Sequence, residues 1–547
     1  MSKSLDTNAL QTSTPGAWAP LKLPMFRVFW FASLGSNIGT WINGTASGWV
    51  MTDLSSSPVM VSLVQTAAWL PLVLFALGAG AFADIIDRRR YLMATQIWLM
   101  LSAAALAFLA ATDRLDAWNL LILTFALGSG AAMAMPALSA VIAELVPGKL
   151  LPQAISLGSL SMNLARSIGP ALGGLLLAQF GAWAAYSLNA ISFLGMFLML
   201  WCWKRQPSKD VLPPERFMQA LRAGLRYARL ASQFRAVLIR ATGFILFATS
   251  TWALLPLIAR HELAGNSDTY GFLLTFVGIG AVAAAILLPR IRTYSTPDGL
   301  VLGATIIYAV TTLCLATLKS ETMAYGVMAI CGAAWISVLS SLQLAAQISV
   351  PAWVRGRALS LYLMVFSAGI TFGSLLWGWI AAQAGTSAAL AISAAGAVLA
   401  ALAVRGFSLG AYEAPDLAPS YHWPHPSAVE EPDKDRPVLV TIEYEVALNQ
   451  REAFLEAMQQ LGAIRRRDGA FAWGIFEDIA RPGHYVELFQ HDSWLDHLRQ
   501  HARVTREDQR IQEDIHRFHI GSAAPRVSHF VGGAPASIAA YNSMVAS

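Results

Sequence analysis

The chain has 547 residues, of which 56% are hydrophobic and 13% are charged, and its formal net charge is +5. A soluble domain carries about 25% charged residues, so this composition excludes an ordinary soluble protein and indicates that much of the chain faces lipid. The basic residues form short clusters between apolar runs, which favours membrane topology over nucleic-acid binding as the origin of the positive charge.

Twelve apolar runs, each long enough for a transmembrane helix, follow a polar N-terminal tail over 1–23. Crossing a bilayer takes about 20 apolar helical residues. The runs form a first half over 24–203 and a second half over 236–404, separated by a polar loop over 204–235. The predicted spans are 26–51, 58–82, 91–111, 118–142, 154–180, 183–203, 236–259, 269–289, 299–318, 322–346, 357–383 and 386–404. No cleavable signal peptide is predicted.

The basic residues of the short loops predict the orientation. With a cytoplasmic N-terminus, the inner loops carry more arginine and lysine than the outer loops, which follows the positive-inside rule. Both termini are then cytoplasmic. The central loop is also basic, and Phe217, Leu221, Leu225 and Ala228 recur at helical spacing, which predicts an amphipathic helix on the inner membrane surface.

An internal repeat relates the two halves. Residues 167–176 read SIGPALGGLL and residues 367–376 read SAGITFGSLL, and both segments fall in the fifth span of their half. The shared position favours two copies of one unit over a chance match between Gly/Ala-rich helices.

The C-terminal part of the chain has a different composition. Residues 1–405 hold 13 of the 33 acidic residues and one of the ten histidines, so the last 142 residues hold most of both types. A proline-rich stretch over 405–436 predicts a linker, 437–531 predicts a soluble domain in cytoplasm, and 532–547 predicts a tail. Alternating apolar residues and helical periodicity within the domain, including one helix over 492–510, predict the order βαββαβ of a ferredoxin-like α+β domain.

The loop between the second and third spans reads Gly80-Ala-Phe-Ala-Asp84-Ile-Ile-Asp87-Arg88-Arg89-Arg90. It resembles the signature of the major facilitator superfamily, although Ile85 and Asp87 depart from the family pattern. The resemblance implies the twelve-helix major facilitator fold and a gating role for this loop. We expect Asp84 to cap the eleventh span and to pair with Arg355 or Arg357, which would latch the two halves. The alternative is a positive-inside cluster with acidic residues at helix ends.

The fifth span contains Asn163-x-x-Arg166-x-x-Gly169-Pro170-x-x-Gly173-Gly174. It resembles the G-P-x-x-G-G element of exporter branches of the same superfamily. Glycines let helices approach closely and Pro170 removes a backbone hydrogen bond, as rocking halves require. Generic packing of small residues is the alternative.

Polar and aromatic residues on apolar spans are candidates for a substrate cavity. Arg166 stands out because an intramembrane arginine is rare and usually functional; it either binds an anionic substrate, pairs with Glu144 or snorkels to the interface. Each of the others, taken singly, also fits a packing or interfacial position. Asp53 is a candidate proton carrier or a helix-end acid in contact with water. The substrate-binding candidates are Asn37, Asn43, Gln65, Asn163, Arg166, Trp252 and Gln343.

The tail resembles the extra domain of the transmembrane secretion effector family, through 465–470, 473–474, 493–501 and 525–529. The family is similar to siderophore and drug exporters, and the domain is similar to antibiotic-biosynthesis monooxygenases, whose resemblance implies dimerisation. His497 and His501 stand four residues apart and could share a metal, but no third ligand is apparent, so we interpret them as two surface histidines and expect no metal site. No nucleophile–base constellation is present, and no cofactor is expected.

The sequence therefore predicts a secondary transporter in the cytoplasmic (inner) membrane, not an enzyme, that exports small organic molecules such as siderophores or drugs. The chain lacks the G-x-x-x-x-G-K-(S/T) loop of ATP-driven pumps, so we expect proton coupling. Two alternatives remain: an importer of the same architecture, and a membrane-tethered oxidoreductase that acts through its C-terminal domain.

Overall fold

A computed structural model describes residues 16–85, 87–203, 217–412, 416–423 and 436–532, without the side chains of 76–85, 143, 217–221 and 223. The chain divides into two compact units. Unit 1 comprises Met1–Leu212, Arg240–Ser341 and Leu363–Gly406, and unit 2 comprises Pro213–Ile239, Leu342–Tyr362 and Phe407–Ser547.

The first thirteen helices include one helix for each of the twelve predicted spans. They are α1 (Pro24–Leu54), α2 (Pro58–Ile85), α3 (Arg88–Ala111), α4 (Ala117–Leu145), α5 (Leu151–Phe180), α6 (Ala182–Cys202), α7 (Phe217–Leu230), α8 (Ser232–Leu257), α9 (Ser267–Tyr294), α10 (Pro297–Leu315), α11 (Glu321–Ile348), α12 (Arg355–Ala384) and α13 (Thr386–Ala403). Helix α7 lies in the central loop, where the sequence predicts an amphipathic helix, and the other twelve confirm the predicted fold class.

Ten of these helices are long and apolar enough, within the described part of the chain, to cross a membrane. The two long helices outside that set are α1 and α5, which carry 31 and 30 residues but also more polar side chains. They pack against each other, and α5 also packs against α9 of the second half. Polar residues are tolerated at membrane depth where they face other helices or a cavity rather than lipid, so the pairing of α1 with α5 follows from their composition.

The glycines of the internal repeat occupy equivalent places in the two halves. A Cβ atom added to Gly169 of α5 would lie 2.5 Å from Trp41 Cβ of α1, and one added to Gly173 would lie 3.1 Å from Thr45 Cβ. In the second half, a Cβ on Gly373 of α12 would lie 2.9 Å from Leu246 O of α8. The missing side chains let α5 approach α1, and α12 approach α8, more closely than any other residue type permits.

Unit 2 contains a four-stranded antiparallel sheet covered by helices. Its elements are β1 (Val438–Glu445), α14 (Arg451–Asp468), β2 (Ala472–Glu477), β3 (His484–His491), α15 (Trp494–Arg503), α16 (Arg506–His516) and β4 (Arg526–Val531). The strand order is β2-β3-β1-β4, so β1 and β3 are central and the arrangement is the expected ferredoxin-like one. Alternating side chains of β1 are buried against α14, where Phe454, Met458 and Leu461 form the core.

One element of the tail differs from its prediction. The single helix expected over 492–510 is two helices, α15 and α16, separated at Val504 and Thr505. Thr505 begins α16 with a capping box, because its hydroxyl accepts from the Asp508 backbone N–H at 3.2 Å and the Asp508 carboxylate accepts from the Thr505 N–H at 3.0 Å. Such a reciprocal cap starts a new helix inside a stretch whose periodicity alone looks continuous.

Candidate functional site

The seam between α5 and α9 joins the two halves of unit 1 through small residues. A Cβ on Gly174 would lie 3.0 Å from Gly271 Cα, and a Cβ on Gly278 would lie 2.6 Å from Ser167 Cα. The small residues are seven apart on each helix, so they recur after two turns on one face. Sequence reasoning identified Gly174 but missed Gly271 and Gly278, whose matching spacing of seven was the available signal.

A second seam joins α2 to α12. Thr66 Oγ1 donates to Thr371 O at 3.3 Å, and the rings of Trp69 and Phe366 meet edge-on with centroids 5.6 Å apart. Closer to the start of α2, Ser62 packs against Gly378 of α12, where a larger residue would collide with it. The two helices run antiparallel, since residue numbers fall along α12 as they rise along α2.

A third set of contacts joins the end of α1 to the second half. Asp53 forms an ion pair with Arg260, whose guanidinium also donates to Thr52 Oγ1 at 2.9 Å and lies over the Trp49 ring at 5.6 Å. Trp49 stacks on Tyr270 of α9, with centroids 6.1 Å apart. All three sets of described contacts lie toward the end of the bundle where α1 finishes, so the halves meet at that end.

Two of the polar candidates, Asn37 of α1 and Arg166 of α5, contact the partner helix. Asn37 Nδ2 donates to Ser161 Oγ at 3.4 Å. Asn43 is 7% exposed, and its Oδ1 is buried without a hydrogen-bond partner among the described residues. The Arg166 guanidinium lies over the Trp41 ring at 5.6 Å, and its Nε is also buried without a partner in the described chain. Asn163, one turn before Arg166, is exposed.

The remaining substrate candidates lie on other helices. Trp252 of α8 packs against Trp335 of α11, with ring centroids 5.3 Å apart, inside an aromatic cluster that includes Phe244. Gln65 is half-buried on α2. Gln343 is exposed on the part of α11 that belongs to unit 2. Among the described residues, the candidates with contacts across α1 and α5 are Asn37 and Arg166.

The loop between α2 and α3 anchors α3 to two neighbouring helices. Asp87 caps α3 by accepting from the Arg90 N–H at 3.0 Å. Arg88 pairs with Glu144 of α4 at 2.7 Å, and Arg89 donates to the terminal carbonyls of α6, Leu200 O at 2.8 Å and Trp201 O at 2.5 Å. These cations lie where helix C-termini attract positive charge. Glu144, a possible partner of Arg166 from sequence, thus has Arg88 as a partner.

Gly80 and Asp84 fall in the stretch of α2 whose side chains lie outside the described residues. Of the proposed partners of Asp84, Arg355 starts α12 and donates to Val350 O at 3.5 Å. Arg357 lies beside α7, where a Cβ on Gly224 would lie 3.2 Å from its own Cβ.

Within unit 2, the segment before α12 contacts both α7 and the ferredoxin-like domain. Tyr227 of α7 donates from its hydroxyl to Ser349 O at 2.7 Å. The Arg467 guanidinium of α14 lies over the Tyr227 ring at 5.9 Å, and the Arg503 guanidinium of α15 lies over Trp353 at 4.6 Å. The domain is therefore fastened to the loop between α11 and α12 rather than tethered only by its linker.

The charges buried in the ferredoxin-like domain are paired. Arg465 donates from Nε and Nη2 to the two oxygens of Glu487 at 3.0 and 3.4 Å, and both side chains are at most 3% exposed. Glu487 also accepts from the Trp473 indole at 3.0 Å. Arg467 bridges Asp468 and Asp508, at 2.8 and 2.7 Å. Burial raises the pKa of Asp468, and the adjacent Arg467 favours its charged form.

Histidines from one helix and one strand also converge in this domain. His497 is 1% exposed, so it is not the surface residue that the sequence suggested. Its neighbours are His501, whose Nε2 lies 3.3 Å from its own Nε2, and His529 of β4, at 4.9 Å between ring centroids. Burial and nearby positive charge lower the pKa of His497 to about 2, so the ring is neutral at physiological pH. His529 is the third histidine that the sequence did not reveal.

Two repeated six-helix halves that meet along small-residue seams define a transporter with the major facilitator fold. Solved transporters share it: a D-xylose–proton symporter has a TM-score of 0.55 at 16% identity, covering 71% of this chain and 99% of that one. A POT family transporter in complex with 5-aminolevulinic acid has a TM-score of 0.59 at 11% identity, covering 72% of this chain and 98% of that one. At these identities the likeness shows the fold alone.

The chain belongs to the transmembrane secretion effector family, whose sequence profile matches residues 15–536. It is similar to the staphyloferrin A transporter of Staphylococcus aureus (strain NCTC 8325 / PS 47), at 28% identity over 49% of this chain and 68% of that protein. It is also similar to the multidrug efflux pump Tap of Mycolicibacterium fortuitum, at 27% identity over 65% of this chain and 89% of that protein. The enterobactin exporter EntS of Escherichia coli O1:K1 / APEC is 24% identical over 66% of this chain and 86% of that protein. The family and these relatives are transporters, not enzymes.

Proposed function

We propose that this multi-pass membrane transporter exports small amphipathic organic molecules, siderophore-like or drug-like, across the cytoplasmic (inner) membrane in exchange for protons. Both termini are cytoplasmic in this proposal, as the basic inner loops favour. The observation that carries it is Arg166, a half-buried cation on the α1–α5 interface whose Nε has no hydrogen-bond partner in the described chain.

An unsatisfied arginine at membrane depth requires compensation. Burying a polar group without a partner costs about 1–3 kcal/mol by mutational estimates, so a protein retains one where a ligand or water completes it. Trp41 offers Arg166 one aromatic face, and Asn37, one turn before Trp41, adds a polar group on the same side of α1. An anionic or hydrogen-bonding group beside an apolar body suits this surface.

The direction of transport rests on two supports. Two of the reported relatives are named as an efflux pump and an exporter, and the Gly169-Pro170 element of α5 resembles that of exporter branches. The described contacts between halves gather at the end of the bundle where α1 finishes, which the loop charges place outside. Alternating access brings importers and exporters alike to a state closed at that end, so these contacts describe the state of the protein and not its direction of transport.

Alternation between two closed ends supplies the mechanism. In this proposal the Asp53–Arg260 pair holds the outer end closed and breaks when the halves rock. The signature loop holds the inner end closed, through Asp84 and Arg355 or Arg357. If Asp84→Asn left transport unchanged, the inner latch would be unnecessary.

The experiment compares small-molecule pools inside and outside cells with and without this protein, each with and without a protonophore. We expect a compound that accumulates inside the deletion strain and leaves wild-type cells only while the proton gradient is intact. A compound depleted inside the deletion strain and left in the medium would mean import. Efflux that persists with the protonophore would exclude proton coupling.

Self-association through the ferredoxin-like domain is a further part of the proposal. Phe476 of the edge strand β2 is 60% exposed to solvent, and Ile479 of the following turn is 99% exposed. Light scattering of the detergent-solubilised protein should give the mass of two chains, and Phe476→Ser with Ile479→Ser should give one. A single-chain mass for the unmodified protein would exclude the dimer.

A further inference from the structure

Three histidines of unit 2 form a compact group of potential metal ligands. One ligand nitrogen from each of His497, His501 and His529 lies within 4.8 Å of the other two. The His497 ring occupies the centre, with ring centroids 4.8 Å from His501 and 4.9 Å from His529. We propose that this group binds one divalent transition-metal ion of the Zn²⁺ class, with three imidazole ligands and an open fourth position.

The spacing of the nitrogens fits such an ion. A tetrahedral site with Zn–N bonds of about 2.0–2.1 Å places its nitrogens about 3.3 Å apart. The His497 and His501 Nε2 atoms are already 3.3 Å apart. Only His529 has to move closer, and it lies on an edge strand, β4, that pairs on one side alone.

The central histidine has an unmet polar atom. His497 is 1% exposed, and its Nδ1 is buried with no hydrogen-bond partner in the described chain. A neutral imidazole carries one donor and one acceptor nitrogen, so contact with His501 alone leaves one of them unsatisfied, which costs free energy in a buried position. With the metal ion on Nε2, Nδ1 would carry the ring proton and would donate it to a bound water, as the second nitrogen of a ligating histidine commonly does.

The fold holds the group in place from two layers. Ser493 caps the start of α15. Along this helix His497 and His501 are four residues apart, so they lie on one face. In the sheet, His529 pairs with Val440 of β1, whose side chain is buried toward the helices, and cross-strand partners share a face. Behind His497, His491 is held by Gln500 at 2.8 Å between Nε2 and Oε1.

The local charges permit a cation. Arg465, whose positive charge acts on His497, is neutralised by its bidentate pair with Glu487. Three imidazole ligands suit Zn²⁺, Cu²⁺ and Ni²⁺ better than Mg²⁺ or Ca²⁺. His501 and His529 are half-buried, so an ion can reach the site from water.

The test uses the full-length protein, purified in detergent with a tag that contains no histidine and stripped with a chelator. Zn²⁺ is titrated calorimetrically, and Co²⁺ is titrated while its visible absorption band reports tetrahedral coordination. The variants are His501→Gln and His529→Ala. The matched control is His484→Ala, at the other end of β3 from His491.

We expect one Zn²⁺ per chain, a tetrahedral Co²⁺ band, and unchanged binding in the control. Each ligand variant should lose at least about 10-fold in affinity, the lower limit seen even for outer-shell changes. If His529→Ala unfolds without metal, His501→Gln decides, since that side chain is partly exposed. Failure of the unmodified chain to bind, or equal affinity in His501→Gln, would overturn the proposal. These readouts do not depend on transport, so they separate it from the proposed export.

Discussion

Arg465 of unit 2 and Arg166 of unit 1 are buried in different ways. In unit 2, Arg465 is 2% exposed and is satisfied by both oxygens of Glu487. In unit 1, Arg166 is half-buried, rests on Trp41 and keeps an Nε with no partner in the described chain. A satisfied buried cation fixes a structure, whereas an unsatisfied one is available to a ligand. The contrast separates a structural arginine from a candidate binding arginine.

The units also achieve close packing by different means. Unit 1 brings helices together through glycines such as Gly174, Gly271 and Gly278, because lipid provides no hydrophobic driving force between helices. Unit 2 folds in water, where apolar residues on one face of a sheet and a helix form the core. We therefore expect an added carbon to be disruptive at these glycines of unit 1, and an unpaired charge to be disruptive at the buried Arg465–Glu487 pair of unit 2.

The largest expected effect follows from removing one member of the buried pair in unit 2. Glu487→Leu leaves Arg465 charged and buried, and breaking such a pair costs about 3–5 kcal/mol. Hydrogen exchange of the β3 amides in the full-length protein should accelerate accordingly. The double variant Arg465→Met with Glu487→Leu should recover most of the protection, because no charge remains unpaired. Equal exchange in the single and double variants would show that the pair is not the cause.

A functional effect without a stability effect is expected at Arg166. Arg166→Gln removes a charged hydrogen-bonding group worth about 1.5–3 kcal/mol, which corresponds to roughly a 10–100-fold loss of transport at low substrate. Transport by cells should fall while protein level and thermal unfolding stay normal. Arg114→Gln, in an exposed loop, is the matched control. A loss of stability in Arg166→Gln equal to its loss of transport would make this arginine structural, as Arg465 is.

A smaller effect is expected at the α5–α9 seam. Gly278→Ala places a Cβ atom 2.6 Å from Ser167 Cα unless the helices shift. Such overpacking costs about 1–3 kcal/mol. The rate of transport should fall, since the halves separate and meet along this seam. Gly303→Ala on α10, where nothing lies within 4 Å, should have no effect on the same assay. Normal transport by Gly278→Ala would show that the seam does not limit the motion.

The smallest effect concerns the contact between α15 and the segment before α12. Trp353→Leu removes the cation–π partner of Arg503, a contact worth about 0.5–2 kcal/mol. Hydrogen exchange should rise locally in α15 and in residues 349–354. Trp379→Leu, an exposed residue of α12, should leave that exchange unchanged. No change in either variant would mean that this contact does not fasten the domain to the loop.

Much of unit 1 is predictable from the sequence because the membrane imposes one strong rule, a long apolar helix for every crossing. The two polar spans, α1 and α5, fit this rule least well. Their apolar runs still predict both helices, and the repeat at Gly169 and Gly369 supports α5. The partners of Gly174 were not predictable, because which helix of the second half faces α5 depends on how the halves assemble.

In unit 2, strand alternation correctly predicted βαββαβ, but the reciprocal cap of Thr505 and Asp508 split one predicted helix in two. The histidine group was beyond sequence reasoning for a different reason. His529 is 28 residues from His501 along the chain, and the β1–β4 register brings them together.

The most direct test of export uses everted membrane vesicles, whose cytoplasmic face is outward, and the compound identified from the cell pools. With the vesicle interior acidified, the account predicts uptake by vesicles that contain the protein, loss of uptake with a protonophore, and at least about 10-fold less uptake with Arg166→Gln. Uptake of the compound only by right-side-out vesicles, or equal uptake by the Arg166→Gln variant, would contradict the account.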